Sequence, residues 1–106
     1  MEIYQLEEGF KYIHAVIPCP TGWRFDPAKA VEVSRLGVDT WAWPLYEVEE
    51  GVLSMSRKPE QKPVTEYLKA QGRFRRLGDE QVEHVQATVD ERRMNLLGME
   101  GKRITL

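Results

Sequence analysis

The chain has 106 residues, of which 42% are hydrophobic and 30% charged, with a net charge of −2 at neutral pH. That length bounds it to one domain with a modest core, and the mixture is that of a globular chain rather than a disordered one. The absence of a cationic excess argues against general binding to nucleic acid or to acidic membranes.

The most apolar stretch lies within residues 12–18 and contains His14. It is far shorter than the roughly 20 residues of a membrane span. The first residues, Met1-Glu2-Ile3-Tyr4-Gln5-Leu6-Glu7-Glu8, are acidic and lack the apolar run of a signal peptide, so a cytoplasmic location is expected. Cys19 is the single cysteine. It cannot form an internal disulfide, and it cannot make a self-contained zinc ribbon or iron–sulfur cubane.

In chain order, Ile3, Leu6 and Gly9 suggest the tail of a helix. Tyr12–Ile17 is nearly apolar throughout, the pattern of a strand buried on both faces in a parallel sheet. Such a strand needs a neighbour on each side, and the chain offers few, so it reads like a piece of a larger sheet. Pro18-Cys19-Pro20-Thr21-Gly22-Trp23 makes a stiff loop at the end of that strand. A helix should follow, capped by Asp26 with Pro27 in its first position. Its polar stripe (Lys29, Glu32, Arg35, Asp39) is narrow, so most of this helix is expected to be covered. Pro44, by restricting Trp43, should end it.

Leu45–Arg57 reads as a hairpin with Glu50-Gly51 as its turn. A two-residue loop there pairs Val48 with Leu53 and Tyr46 with Met55 on one face, and Glu47 with Ser54 on the other. Pro63–Gln71 predicts a short helix with a Val64/Tyr67/Leu68 stripe, stopped by Gly72. Asp79 can cap a last helix, about Glu80–Leu97, with Val82, Val85, Val89 and Leu96 as its stripe and Gly98 as its stop. Residues 1–98 are thus expected to form one domain of α/β class: core strand, covering helix, β-hairpin and two C-terminal helices. Residues 99–106 have no periodicity and suggest a loose tail.

Cys19 has two readings. It stands where α/β proteins place ligands, at the end of a buried strand, which suits a thiolate metal ligand. It also suits a buried structural thiol, and the residues alone favour that reading, because no second thiol or adjacent His accompanies it. Trp23, Trp41 and Trp43 could shield a cofactor but more commonly build core or interface. Arg73, Arg75 and Arg76 around Phe74 could grip a single strand, yet the net charge favours surface or intersubunit ion pairing. His14 and His84 carry no motif. The adjacent acidic pairs Glu7/Glu8, Glu49/Glu50 and Asp90/Glu91 are poor acid–base dyads.

Three blocks carry a resemblance: Pro18-Cys19-Pro20-Thr21-Gly22-Trp23-Arg24, then Trp43-Pro44-Leu45-Tyr46-Glu47-Val48-Glu49-Glu50-Gly51, then Lys62-Pro63-Val64-Thr65-Glu66-Tyr67-Leu68-Lys69-Ala70-Gln71-Gly72-Arg73-Phe74. In this order, over about residues 9–77, they resemble the C-terminal segment of the β subunit of pyruvate-type 2-oxoacid:ferredoxin oxidoreductases (pyruvate synthases). The resemblance implies a piece of a thiamine-binding α/β domain. The parent reaction would be coenzyme A-dependent oxidative decarboxylation of a 2-oxoacid, with electrons passing to ferredoxin. The cofactors implied are thiamine diphosphate with magnesium and one 4Fe–4S cluster, for which Cys19 would be the fourth ligand. The family's Gly-Asp-Gly…Asn motif and the other three cysteines do not occur here. The chain by itself is therefore expected to hold no cofactor and to be inactive. Its expected partners are other segments or subunits of the oxidoreductase and, through the complex, ferredoxin. Uncovered surfaces of the chain alone would favour self-association. The alternative is a free-standing interaction module with the same fold and no redox role.

Overall fold

The computed structural model describes residues 9–103. The helix tail expected before Gly9 lies outside these residues. The α/β class holds. The elements are α1 (Pro20–Trp23), a 3-10 turn (Pro27–Lys29) running into α2 (Ala30–Asp39), β1 (Tyr46–Glu49), β2 (Val52–Met55), α3 (Val64–Lys69), a second 3-10 turn (Gly72–Phe74) and α4 (Asp79–Met99).

The expected core strand does not form. Residues 11–17 belong to no strand or helix, and Ile17 is 79% exposed. The physical reason is the one that made the pattern legible. A strand that is apolar on both faces is held by neighbours on both edges, and among the described residues the sheet has two strands, β1 and β2, with neither beside this segment. The segment still makes one aromatic contact, with the His14 ring edge-on to Trp43 at 4.8 Å between centroids.

Asp26 caps, but it caps the 3-10 turn that leads into α2 rather than α2 itself: its Oδ1 accepts from the Ala28 N–H at 3.0 Å, with Pro27 first in the turn. α2 ends earlier than Pro44 suggests. Thr40 closes it, and Trp41 turns left-handed at φ 66°. That conformation costs a non-glycine residue on the order of 1 kcal/mol. It drives the indole into the core, where Trp41 is 2% exposed and its Nε1–H donates to the Pro59 carbonyl at 3.0 Å. Burial of so large a ring outweighs the strain. Gly37 lets α2 lie close against α3: a Cβ there would lie 3.3 Å from the Tyr67 ring.

The expectation that most of α2 is covered is corrected. Val33 and Gly37 are buried, but Val31 is 65% exposed. The described chain packs only one side of this helix. Its other side lines an open groove of mixed character, with Pro18, Val31, Val38 and Leu45 beside Arg35, Asp39 and Arg57.

The hairpin register is the expected one: Tyr46 opposite Met55, Glu47 opposite Ser54, Val48 opposite Leu53. Glu50 and Gly51 both have positive φ, at 52° and 80°, as a two-residue type I′ turn requires. Leu53 is 1% exposed, and Met55 packs against the core of Trp41, Val64, Leu68 and Val89.

α3 begins one residue after Pro63, and its first N–H (Val64) is capped from α4, donating to Gln86 Oε1 at 2.7 Å. Asp90 Oδ1 gathers the Gln61 and Gln86 side-chain amides at 2.7 and 2.8 Å. This polar seam ties the loop before α3 to α4. The expected cap of α4 is shifted: Gly78 is the cap and Asp79 the first helical residue, with the Gln81 side chain accepting the Gly78 N–H at 2.8 Å. Nor does Gly98 stop the helix, which runs through Met99.

Within the expected loose tail, Met99 still belongs to α4 and residues 100–103 fold back on the hairpin. The Gly101 N–H donates to the Leu53 carbonyl at 2.8 Å, and Arg103 bridges Val52. Glu100 accepts from the Met55 N–H at 3.0 Å and from Lys58 Nζ at 2.6 Å. The Lys58 hydrogen bond, then the Met55 N–H, hold its carboxyl below the usual carboxylate range.

Candidate functional site

Cys19 opens α1, flanked by Pro18 and Pro20. Its backbone is extended, its carbonyl accepts the Trp23 N–H at 2.8 Å, and its Sγ accepts the Gly22 N–H at 3.5 Å. The sulfur thus takes the place that a Ser or Asp oxygen takes at a helix start. The thiol is exposed. Among the described residues nothing buries the thiol, in contrast to the buried structural thiol that the residues alone favour. The reason is local: with the strand unformed and prolines on both sides, the backbone turns outward instead of continuing into the core.

The loop is braced from the far end of the sequence. Arg24 is left-handed at φ 59°, and its carbonyl accepts the Gly72 N–H at 2.8 Å. The approach is close enough that a Cβ on Gly72 would lie 2.8 Å from Arg24 Cβ and 3.0 Å from its carbonyl oxygen. The Arg73 guanidinium lies 4.1 Å from the Trp23 ring centroid and 4.5 Å from that of Phe74. Arg73 Nε donates to Gln71 Oε1 at 2.7 Å, and the Gln71 side-chain N–H donates to the Tyr67 carbonyl at 3.0 Å. Gln71 is buried. The first and third blocks of the sequence are therefore in direct contact.

The tryptophans do not form one group. Trp41 is core, Trp43 meets His14, and Trp23 carries Arg73. Arg73, Arg75 and Arg76 are all exposed, and Arg73 is the one that stacks on Trp23 and Phe74. His84 is exposed, and its carbonyl accepts from Thr88 Oγ1. Sequence reasoning missed Gly72 and Arg24 as loop-positioning residues. Gly72 has an ordinary role as a helix stop, and nothing in its spacing signals an approach to Arg24.

A metal would find one protein donor of suitable softness here, the exposed Cys19 sulfur. Among the described residues no three His, Cys, Asp or Glu side chains converge on one point. The residues present thus fit a cluster as one ligand of a larger set. They do not fit thiamine diphosphate with magnesium, which needs a loop of carboxylate and amide oxygens for the metal.

No family model matches the chain. Individual proteins do. Pyruvate synthase subunit PorB of Methanocaldococcus jannaschii is 47% identical over 93 residues, covering 87% of this chain and 31% of that protein. PorB of Methanothermobacter thermautotrophicus is 54% identical over 84 residues, covering 78% of this chain and 29% of that protein. Ketoisovalerate oxidoreductase subunit VorB of Pyrococcus horikoshii is 43% identical over 86 residues, covering 78% and 28%. The chain spans about 30% of the length of the curated relatives it matches. The resemblance read from the three blocks therefore holds, and over most of its length the chain is a PorB-type segment.

Proposed function

We propose that this segment supplies Cys19 as one thiolate ligand of a 4Fe–4S cluster in the β subunit of a 2-oxoacid:ferredoxin oxidoreductase. The observation that carries the reading is an exposed sulfur, flanked by two prolines, in a chain about half identical to PorB proteins. The remaining ligands would come from the larger part of the subunit that this chain does not span. In that setting Cys19 would hold iron, and the Gly22 N–H 3.5 Å from its sulfur would help set the potential, since hydrogen bonds to cluster sulfurs shift it. Thiamine diphosphate, when bound in the parent enzyme, supplies the carbanion chemistry. Its diphosphate and magnesium would be held outside this segment, and no residue here is assigned to them. The substrate class proposed is a 2-oxoacid, pyruvate first, with coenzyme A as acyl acceptor and ferredoxin as electron acceptor through the complex. The proposed setting is cytoplasmic, and among the described residues no helix is long and apolar enough to cross a membrane.

The test uses the full subunit complex that contains this sequence. Cys19→Ser should lower the iron content and change the visible and electron paramagnetic resonance spectra of one cluster, and slow ferredoxin reduction. An unchanged cluster spectrum with full iron content would overturn the assignment.

A further inference from the structure

We infer that Gly72 and Arg73 are positioning residues for the Cys19 loop, a clamp that sets where the sulfur points. The inference rests on the cluster reading above for its purpose, but its physics is independent of iron.

The loop from Pro18 to Phe25 has little to hold it in place. α1 is a single turn of four residues, contains no buried residue and ends in a left-handed Arg24. One turn of helix is far below the length at which helices are stable alone. The apolar segment before it forms no ladder. What fixes the loop is the pair of contacts from the second 3-10 turn: the Gly72 N–H on the Arg24 carbonyl at 2.8 Å and the Arg73 guanidinium over Trp23 at 4.1 Å. Both contacts grip the end of α1 opposite Cys19. Between grip and sulfur run the Trp23 N–H to Cys19 carbonyl bond at 2.8 Å and the Gly22 N–H to Sγ contact at 3.5 Å.

The clamp is itself anchored in the core. Arg73 Nε donates to the side chain of buried Gln71, which in turn donates to the Tyr67 carbonyl in α3, beside buried Leu68. Arginine suits this role and lysine does not replace it fully. The planar guanidinium stacks on an indole face while its Nε–H still reaches an acceptor in its own plane. At Gly72 only hydrogen fits, because a methyl group would meet Arg24 at 2.8 Å. A charged group so near the cysteine loop also contributes to the field there, so its loss would reach a cluster through both position and charge.

The experiment is amide hydrogen exchange by nuclear magnetic resonance on the chain as it stands, comparing wild type with Arg73→Ala, Arg73→Lys and Arg75→Ala. Exchange reports local opening, which separates a clamp from a general contribution to stability. Arg73→Ala should speed exchange at Trp23 and Phe25 about fivefold relative to wild type, the order expected of a lost cation–π contact, with the α4 amides near Val89 unchanged. Arg73→Lys should restore part of the protection. Arg75→Ala, at an exposed position, should match wild type. Gly72→Ala should act in the same direction as Arg73→Ala and more strongly. Should Gly72→Ala fail to fold, the two Arg73 variants still decide the matter. Exchange at Trp23 and Phe25 within about twofold of wild type in Arg73→Ala, or a uniform rise that includes the Val89 region, would overturn the clamp. In the full complex, Arg73→Ala should keep its iron but shift the cluster's paramagnetic resonance line shape, whereas Cys19→Ser should lose iron. A clamp that passes the exchange test beside a Cys19→Ser variant that keeps its cluster would fail the cluster reading alone.

Discussion

At the scale of single residues, two side chains secure the fold by satisfying backbone groups across long sequence separations. Trp41 reaches the Pro59 carbonyl with its indole N–H, and the Arg93 guanidinium lies 5.2 Å from the centre of its ring. Trp41→Phe keeps most of the apolar burial but removes the donor and leaves a gap beside Arg93. The expected cost is about 1–3 kcal/mol, read as a lower urea midpoint with an unchanged m value; an unaltered midpoint would deny the hydrogen bond any weight. Glu100 acts on β2 in the same manner. Its carboxyl is held below the ordinary range by the Lys58 and Met55 contacts. A depressed native pKa means the contribution is complete above the unfolded value and is lost as pH falls through the native one. The Met55 amide should therefore lose protection at acid pH, with its chemical shift following the Glu100 titration. Glu100→Gln should abolish that pH dependence. A Met55 shift that titrates the same way in the Gln variant would point to a different group.

At the scale of elements, the hairpin is the best-specified part of the chain because turn and alternation demand the same register. Its weak point is Glu50, a side chain with no special tolerance for φ 52°. Glu50→Asn places the preferred residue before Gly51 and should stabilise by about 0.5 kcal/mol, seen as a modest rise in Tm; a fall would show that Glu50 makes a contact worth more than its strain. The other legible features were likewise those written in local chemistry, such as Asp26-Pro27 at the start of the 3-10 turn that runs into α2 and the Val82/Val85/Val89/Leu96 stripe of α4. What was not legible depends on partners distant in sequence. The end of α2 is set by where the core accepts an indole, not by Pro44. The cap of α4 moved by one residue because Gln81 can reach back to the Gly78 N–H. Residues 12–17 carry the full pattern of a strand yet have no edge to join. The exposure of Cys19 follows from that failure, while its braces at Gly72 and Arg73 have no periodic signal at all.

At the scale of the whole molecule, the described residues make two unlike surfaces. One is closed around Trp41, Val64, Leu68 and Val89. The other exposes Phe10, Tyr12, Ile17 and Val31, the first of them 92% exposed, with Val31 on the wall of the groove along α2. Scattered exposed apolar residues are ordinary, but these lie on one segment and the neighbouring helix. A PorB-type segment that spans under a third of its relatives' length has an available explanation for such a face: the remainder of the subunit would cover it. By itself the chain should then shield that surface by self-association, because unpaired apolar strand-like segments and apolar patches both promote it. Sedimentation velocity over a roughly hundredfold concentration range should show a rising sedimentation coefficient, and the double variant Ile17→Lys with Val31→Glu should remain monomeric. Both positions are solvent-exposed, so the double variant should keep the wild-type circular dichroism spectrum and Tm in dilute solution. The same two substitutions placed in the full subunit should instead hinder its assembly, since there they would bury unpaired charge. A chain that stays monomeric at every concentration would rule out the self-association, and a full subunit that assembles normally while carrying both substitutions would mean that nothing in the parent protein covers this face.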